Sequence, residues 1–236
     1  MILVVFRPVE NRMARTCDIL IIGGGVIGVE LAFAFRKLGS NVSMIDMAPS
    51  VLTRHLSEAA AAGIDTLSYQ LSTAGITISL ADPSINKGDA AGDIYSGFED
   101  VTGTNYDDVI YGDSQPVNNL WGLAGNDKIY GGDGYDVMIG DAGADYLDGG
   151  AGRDEADYET SPEAITISLA DPSMNTGHGV GDVYVNIEDL AGSLYDDKLY
   201  GDAQGNNILG WPGNDQIFGG DGDDGLDGGP GADILD

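Results

Sequence analysis

Residues 122–157 read GLAGNDKIY GGDGYDVMI GDAGADYLD GGAGRDEAD, which is four consecutive units of nine residues. Each unit has Gly at position 4 and Asp at position 6, and the first three have a large aliphatic residue at position 8. Glycine permits positive φ and close backbone approach, so the first six residues of a unit can form a tight turn. The last three suit a short strand whose middle side chain points inward. The pattern predicts an all-β parallel solenoid in which two units make one coil.

In such a coil each turn stacks on the turn two units away, which brings together Asp side chains eighteen residues apart. We therefore expect Asp127 to pair with Asp145 and Asp136 to pair with Asp154. Backbone carbonyls and carboxylates are the oxygen ligands that Ca²⁺ prefers, whereas zinc favours nitrogen and sulfur. Several calcium ions are thus expected between stacked turns. The inner row is Ile129, Met138 and Leu147, and the small Ala156 is expected to mark the fraying end of the array.

A second array of five units occupies residues 192–236. Asp215 and Asp233 have full glycine turns and make its best predicted site. The pairs Asp197 with Asp215 and Asn206 with Asp224 are expected to be weaker, because Tyr195 and Gln204 replace the position 4 glycine. The first array opens at residues 103–111, which carry Asp108, and continues through the ten-residue unit 112–121, where Asn119 is expected in the Asp place.

The candidate calcium ligands are the glycines and aspartates of these turns. They are Gly122, Gly125, Asp127, Gly131, Asp133, Gly134, Asp136, Gly140, Gly143, Asp145, Gly149, Gly152, Asp154, Gly213, Asp215, Gly219, Asp221, Gly222, Asp224, Gly228, Gly231 and Asp233, with Asp108 and Asp197 at the array starts.

The nonapeptide resembles the G-G-x-G-x-D-x-U-x repeat of the RTX (repeats-in-toxin) family of secreted bacterial proteins. The resemblance implies a calcium-binding β-roll that folds outside the cell, a type I secretion apparatus as partner, and an extracellular or cell-surface location without a cleaved N-terminal signal. A structural or adhesive stalk, for which calcium is only a stiffener, is an alternative. The oligomeric state is left open.

The charge of the chain agrees with a cation-binding role. The net charge is −29, and residues 1–59 hold six bases and five acids, so the remainder carries −30. This excess disfavours nucleic acid and anionic membranes as partners and favours multivalent cations. No membrane span is expected, because the longest apolar run is short and rich in glycine. The single Cys17 excludes an intrachain disulfide framework.

An internal duplication organises the chain after residue 58. The segment 76–113 recurs at 165–202 with a shift of 89 residues. We predict a first RTX unit over 58–157, with a spacer at 69–102 and an array at 103–157. The second unit covers 158–236, with a spacer at 158–191 and an array at 192–236. Alternating residues predict strands at Ile76–Leu80 and Ile165–Leu169, β structure that is laid onto the roll or extends it.

The N-terminal part has a different pattern. After a leader at 1–17, expected to be poorly ordered, residues 18–57 predict a partial βαβ unit: a strand at 18–22, a helix at 29–38 and a strand at 41–45. Gly23, Gly25 and Gly28 would form the phosphate turn, and Asp46 would bind a ribose. Residues 18–52 resemble the NAD-binding segment of the pyridine nucleotide-disulfide oxidoreductases, including the acidic Glu30 after the third glycine.

An NAD(P)- or FAD-linked oxidoreductase fragment is therefore a second alternative. Only about 40 residues match that family, and a mononucleotide-binding half needs a third strand. The redox cysteine pair of the family is absent. We expect no working NAD(P) or FAD site, and the sequence has no catalytic motif such as His-Glu-x-x-His or Gly-x-Ser-x-Gly. An enzyme activity is not expected.

Overall fold

The computed structural model describes three N-terminal strands, at residues 3–8, 17–22 and 42–45, and the whole of residues 65–236. The described residues are nearly all β, in sheets dominated by parallel pairs, which is compatible with a β-roll. Within these ranges no helix has the length and apolar character needed to cross a membrane.

The strands are short and regularly spaced. The N-terminal strands and those of the first unit are β1 Leu3–Pro8, β2 Cys17–Ile22, β3 Val42–Ile45, β4 Thr66–Ser68, β5 Thr77–Ser79, β6 Asp100–Thr102, β7 Val109–Tyr111, β8 Val117–Trp121, β9 Lys128–Ile139, β10 Tyr146–Gly152 and β11 Glu155–Asp157. Those of the second unit are β12 Thr166–Ser168, β13 Val183–Val185, β14 Asp189–Ala191, β15 Lys198–Tyr200, β16 Asn207–Leu209, β17 Gln216–Phe218, β18 Gly225–Asp227 and β19 Ile234–Leu235. Four 3-10 turns lie in the spacers, at Pro83–Ile85, Gly88–Ala90, Pro172–Met174 and Gly177–Gly179.

These strands form three parallel stacks. Stack A contains β4, β6, β8, the second half of β9, β11, β14, β16 and β18. Stack B contains β5, β7, the first half of β9, β10 and β13. Stack C contains β12, β15, β17 and β19. Because successive units alternate between stack A and stack B or C, two units make one coil, as predicted.

The core is a row of single inward side chains. Ile129, Met138 and Leu147 are fully buried, and each is aligned with the inward residue of the next coil. The predicted inner row is confirmed. The expectation for Ala156 is wrong: it is fully buried, and β11 pairs on both sides with β9 and β14. The array does not fray there, because the spacer supplies the next strand.

The spacers are part of the stacks. The strands predicted at 76–80 and 165–169 occur as Thr77–Ser79 and Thr166–Ser168, and they begin stacks B and C. Each is followed by Asp-Pro and a 3-10 turn, in which the aspartate caps the turn; Asp82 Oδ1 accepts a hydrogen bond from Ser84 N at 3.0 Å. Later in the second spacer, Val183–Val185 pairs with Tyr146–Asp148, so this spacer also ends stack B.

The N-terminal strands continue the edge of stack A. Strand β2 pairs in parallel with β3, and β3 pairs in parallel with β4. The strands predicted at 18–22 and 41–45 are thus confirmed, with bounds shifted by one residue. The predicted helix at 29–38 and the residues Gly23, Gly25, Gly28, Glu30 and Asp46 lie outside the described residues. The leader contains strand β1, antiparallel to β2, which the sequence analysis did not predict.

Close coil stacking requires glycine at position 4 where that residue lies against the turn eighteen residues earlier. A Cβ added to Gly143 would lie 1.6 Å from the carbonyl oxygen of Gly125 on the neighbouring coil. The clash is with backbone, which cannot move without opening the hydrogen bonds between coils. At Gly225, by contrast, the nearest atom to an added Cβ is the side-chain Oδ1 of Asn207, which can move away.

We predict that Gly143→Ala lowers the free energy of unfolding by about 1–3 kcal/mol, the usual cost of overpacking. Gly225→Ala should change it by less than about 0.5 kcal/mol, as surface substitutions do. Urea unfolding followed by circular dichroism at saturating calcium measures both. Equal effects of the two substitutions would contradict the close stacking of residues 143 and 125.

Candidate metal centre

The turns of successive coils lie directly on one another. Gly125 N donates to Ala142 O at 3.0 Å, and Ala142 N donates to Leu123 O at 2.9 Å, so the turn 122–127 is hydrogen-bonded to the turn 140–145. The same relation holds between the turns 131–136 and 149–154, where Gly132 pairs with Gly150 and Gly134 with Gly152. Each turn therefore shares a face with the turn eighteen residues later.

The position 6 aspartates form ladders along these faces. The backbone N–H of Asp127 donates to Asp145 Oδ1 at 2.8 Å, and that of Asp136 donates to Asp154 Oδ1 at 2.9 Å. In the second array the N–H of Asp215 donates to Asp233 Oδ1 at 3.0 Å. The predicted partners are therefore in contact. The weaker predicted pairs make the same contact, Asp197 with Asp215 and Asn206 with Asp224.

The second carboxylate oxygen, Oδ2, is the atom of these aspartates that is available to a cation. Oδ2 of Asp127, Asp136, Asp145, Asp154 and Asp215 is buried without a hydrogen-bond partner, and all five side chains are at most 1% exposed. A buried carboxylate oxygen without a donor is costly, because it has lost water and gained nothing in exchange. Five such oxygens at equivalent positions indicate that a cation belongs beside them.

Glycine leaves room beside each oxygen, and at four of the five a carbonyl of the following coil faces the same space. A Cβ built on Gly122 would lie 2.2 Å from Asp127 Oδ2 and 3.0 Å from Gly140 O of the following coil. For Gly131 the corresponding distances are 2.5 Å to Asp136 Oδ2 and 2.6 Å to Gly149 O. The carboxylate oxygen and the carbonyl therefore converge on one locus, and this all-oxygen donor set fits Ca²⁺.

The same arrangement occurs at Gly210, where an added Cβ would meet Asp215 Oδ2 at 2.5 Å and Gly228 O at 2.9 Å. Among the described residues, no three His, Cys, Asp or Glu side chains cluster as a metal site. A cation at these turns would consequently rely on carbonyls as well as on the ladder carboxylates. Asp133 and Asp221 lie at position 3, and their side chains are exposed.

In other turns, which we call closed, a backbone N–H of the same turn donates to the position 6 side chain. The five turns whose aspartate Oδ2 has no donor are called open. Asp108 Oδ2 accepts a hydrogen bond from Thr104 N at 2.6 Å, and its Oδ1 accepts one from Ile76 N at 2.7 Å. Asp197 has the equivalent donors, Ser193 N at 2.5 Å and Ile165 N at 2.9 Å. Both oxygens of these two aspartates are therefore satisfied, unlike those of the five open turns. Their role as calcium ligands stays a prediction.

The backbone at position 2 distinguishes open from closed turns. In the open turns the residue at position 2 has positive φ, as in Leu123 (77°), Asp141 (65°) and Trp211 (64°), or is a glycine such as Gly132 (119°) and Gly150 (97°). In the closed turns position 2 is Thr104, Asp113, Ser193 or Asp202; none of these has positive φ, and each donates its N–H to the position 6 side chain. Left-handed backbone thus keeps the carboxylate oxygen without a donor.

The ten-residue unit 112–121 corrects one assignment. Asn118, not Asn119, occupies the ladder: its N–H donates to Asp136 Oδ1 at 2.9 Å, and it is fully buried. Asn119 instead donates its side-chain amide to Asp100 Oδ1 at 2.7 Å. Counted back from the end of the unit at Trp121, Asn118 is position 6 of a nonapeptide, so the additional residue lies in the turn before it and the predicted position was one residue too late.

The spacers contain ladder residues that the sequence analysis missed. Asp145 N donates to Asp182 Oδ1 at 2.8 Å, and Asp154 N donates to Glu188 Oε2 at 3.0 Å. One signal was present: Gly177–Val185 reads GHGVGDVYV, with Asp182 at position 6 of a nonapeptide. Nothing comparable marks Glu188, which follows Asp182 by only six residues.

Burial makes the open aspartates unusually weak acids in the absence of a cation. Desolvation, with a smaller contribution from neighbouring carboxylates, raises the pKa of Asp127, Asp136 and Asp145 to about 7. The same causes raise the pKa of Asp154 and Asp215 to about 6. A bound cation would reverse this effect, because an adjacent opposite charge favours the ionised carboxylate.

Comparison with protein families finds matches on both parts of the chain. The family model described as RTX calcium-binding nonapeptide repeat (4 copies) matches residues 121–156, 186–217 and 200–235. The model described as pyridine nucleotide-disulphide oxidoreductase matches residues 7–110. Both resemblances found in the sequence are thereby confirmed. The open turns of both arrays lie inside the RTX matches.

Individual relatives match a short part of the chain. The chain is 43% identical over 47 residues to a nitric oxide reductase FlRd-NAD(+) reductase of Escherichia coli O7:K1. It is 42% identical over 52 residues to an anthranilate 1,2-dioxygenase system ferredoxin–NAD(+) reductase component of Burkholderia cepacia, and 36% over 55 residues to a rubredoxin-NAD(+) reductase of Pseudomonas putida. These matches cover 20–23% of this chain, which spans only 12–14% of the length of these relatives.

We predict a pH dependence from the raised pKa values. Without calcium, the fold should gain stability as the pH falls from above about 7 toward about 4, because the folded carboxyls bind protons more tightly than unfolded ones of pKa 3.8. The calcium concentration at the midpoint of folding should fall as the pH falls, because protons that bind the folded carboxyls supply part of the stabilisation that calcium otherwise supplies. Calcium titrations by circular dichroism between pH 8 and pH 5.5 measure this. A midpoint that does not change over this range would contradict the assignment of buried, ionising ligands.

Proposed function

We propose that residues 60–236 form an RTX β-roll that folds when it binds several calcium ions. The observation that carries the proposal is the set of five buried Oδ2 atoms without a donor, each beside a glycine. The RTX family matches support the choice of Ca²⁺ among the hard cations. The unit boundaries at 58–157 and 158–236 are part of this proposal.

The residues that would hold calcium follow from the open turns. Asp127 with Asp145 and Gly140 O would hold one ion, Asp136 with Asp154 and Gly149 O a second, and Asp215 with Asp233 and Gly228 O a third. Asp224, beside Gly219, would contribute to the last coil of stack A. Bound calcium supplies the positive charge that the ladder lacks.

The roll needs this charge because its core is thin. Each nine-residue unit buries about one aliphatic side chain, such as Ile129 or Leu147, while residues 60–236 carry a net charge of −30. A ligand that binds only the folded turns stabilises them by about 2.7 kcal/mol per site at a hundredfold excess over its Kd. Occupation of several sites would therefore change the chain from unfolded to folded.

The calcium dependence also fits a location outside the cell. Extracellular calcium modules bind with Kd values of about 10⁻⁴ to 10⁻³ M, well above cytoplasmic calcium levels. A roll of this affinity would stay unfolded during synthesis and fold after export, in keeping with the secreted or cell-surface location and the type I secretion route implied by the RTX repeats. A stalk that calcium merely stiffens remains the structural alternative.

A second candidate function rests on the oxidoreductase matches. The relatives named above are NAD(+) reductases, and residues 18–52 contain the three glycines and the Asp46 expected of an NAD-binding segment. The oxidoreductase family match extends to residue 110, but residues 66–110 lie in stacks A and B and include much of the duplicated segment 76–113. The candidate nucleotide-binding part is therefore about 40 residues long, and we propose that it does not bind NAD(P) or FAD.

We predict that calcium converts the full chain from coil to β structure, cooperatively, between about 10⁻⁵ and 10⁻³ M, and that magnesium does not replace it. Asp136→Ala and Asp145→Ala should each raise the calcium midpoint severalfold, because each removes a buried ligand. Asp223→Ala, an exposed aspartate of the second array with the same change in charge, is the matched control.

Circular dichroism during calcium titration provides the measurement. A β signal that persists in excess EDTA would favour the stalk reading over calcium-coupled folding. Asp136 and Asp145 variants that titrate like Asp223→Ala would overturn the assignment of these residues.

For the N-terminal segment we predict no saturable binding of NADH at submillimolar concentrations, measured by nicotinamide fluorescence on the full chain with and without calcium. The physical reason is that the strand paired with Val42–Ile45 is Thr66–Ser68, which stack A uses, rather than a third strand of a mononucleotide-binding half. A micromolar dissociation constant that is abolished by Gly25→Val would instead establish the oxidoreductase fragment as a binding module.

A further inference from the structure

One acidic side chain outside the arrays occupies a rung of the ladder in stack A. Glu188 Oε2 accepts a hydrogen bond from Asp154 N at 3.0 Å, which repeats the contact of Asp154 Oδ1 with Asp136 N at 2.9 Å. The strands that follow also pair in register, Glu155–Asp157 with Asp189–Ala191. Glu188 thus holds the place that Asp holds in the nonapeptides.

The oxygen of Asp154 that has no donor lies on the side of this spacer turn. A Cβ built on Gly149 would be 2.4 Å from Asp154 Oδ2 and 2.2 Å from Asn186 O. In the preceding coil the Cβ of Gly131 would meet Asp136 Oδ2 and Gly149 O in the same way. In each case the carbonyl comes from the following coil. For Asp154 the following coil is the spacer, so its site is incomplete without Asn186 and Glu188.

The spacer turn is shorter than a nonapeptide turn, and this explains the glutamate. Only Asn186, Ile187 and Glu188 separate strands Val183–Val185 and Asp189–Ala191, whereas a nonapeptide has six turn residues. The additional methylene of glutamate lets the carboxylate reach the ladder from the shorter turn. Asn186 has φ 51°, the left-handed backbone that marks the open turns. Its side-chain amide donates to Asp148 Oδ1 at 3.0 Å and fixes the turn.

The first unit contains the same construction. Glu99 Oε2 accepts from Asp65 N at 3.0 Å, and Gly97, the counterpart of Asn186, has φ 69°. In both units an asparagine of the next coil holds the backbone of the glutamate: Asn118 Nδ2 donates to Glu99 O at 3.0 Å, and Asn206 Nδ2 donates to Glu188 O at 2.8 Å. Glu99 and Glu188 are equivalent positions of the duplicated segment, and both copies have kept the contact together with its supporting bonds.

We propose that Asp154 Oδ2, Asn186 O and Glu188 form an additional calcium site, which carries the cation column of stack A across the spacer toward the second array. The proposal rests on the calcium-binding function proposed above. In stack B the column ends instead, because both oxygens of Asp182 have donors, Asp145 N at 2.8 Å and Tyr158 Oη at 2.6 Å.

The test is the number of calcium ions bound per chain, measured by equilibrium dialysis, together with the midpoint of calcium-induced folding. Glu188→Gln keeps an amide oxygen that accepts the hydrogen bond of Asp154 N but removes the charge. We expect it to bind one ion fewer and to raise the folding midpoint severalfold. Glu163→Gln, at an exposed glutamate of the same spacer, should match the parent in both measurements.

A double-mutant cycle distinguishes ligation from a purely structural role. If Asp154 and Glu188 hold the same ion, the effects of Asp154→Asn and Glu188→Gln on the calcium midpoint should be strongly non-additive. Unchanged stoichiometry in Glu188→Gln, or additive midpoints, would overturn this site while leaving the other sites intact. A parent chain that binds no calcium would instead refute the proposed function itself.

Discussion

The structure depends on the electrostatics of identical carboxylates placed one above another. In a parallel stack each coil lies about 4.8 Å from the next, so any position that carries Asp in every unit becomes a column of like charges. Asp136 and Asp154 form such a column in stack A, and both have an oxygen that the protein does not satisfy. Buried like charges at this spacing repel each other strongly. Protons or cations must therefore bind when the chain folds. The raised pKa values show that the folded carboxyls bind protons tightly when no cation is present.

Local backbone strain decides which turns have a carboxylate oxygen that needs a proton or a cation. Leu123 and Trp211 have left-handed backbone, a conformation unfavourable for large side chains. In return, the N–H at position 2 does not donate to the aspartate below it. Thr104 and Ser193 avoid the strain, and their N–H groups bind the carboxylates of Asp108 and Asp197. The strained turns are consequently the ones prepared for a ligand, which agrees with the tendency of backbone strain to occur at functional sites.

Much of this arrangement could be predicted from the period of nine. The inward row, the stacking of alternate units and the pairing of Asp127 with Asp145 follow from side-chain alternation and glycine placement alone. The errors arose where the period changes. In the ten-residue unit 112–121 the ladder position is Asn118 and not Asn119, and the six-residue step from Asp182 to Glu188 concealed a rung. Whether a turn is open or closed depends on the sign of φ at a non-glycine residue such as Leu123, which the letter at that position does not reveal.

The junction between the two units shows how the fold tolerates so much negative charge. Asp189, which is buried, accepts from the guanidinium of Arg153, with Nε at 2.8 Å from Oδ2 and Nη2 at 2.7 Å from Oδ1. Arg153 thus places a positive charge beside the ladder. It precedes Asp154 in the chain, and its partner Asp189 follows Glu188. At the corresponding place in the first unit Ile64 replaces the arginine, and burial raises the pKa of Asp100, the counterpart of Asp189.

Strand β9 runs through Lys128–Ile139 and belongs to both stacks A and B. Loss of a cation in either column would therefore disturb the other, so the coils of the first array are expected to fold as one cooperative unit.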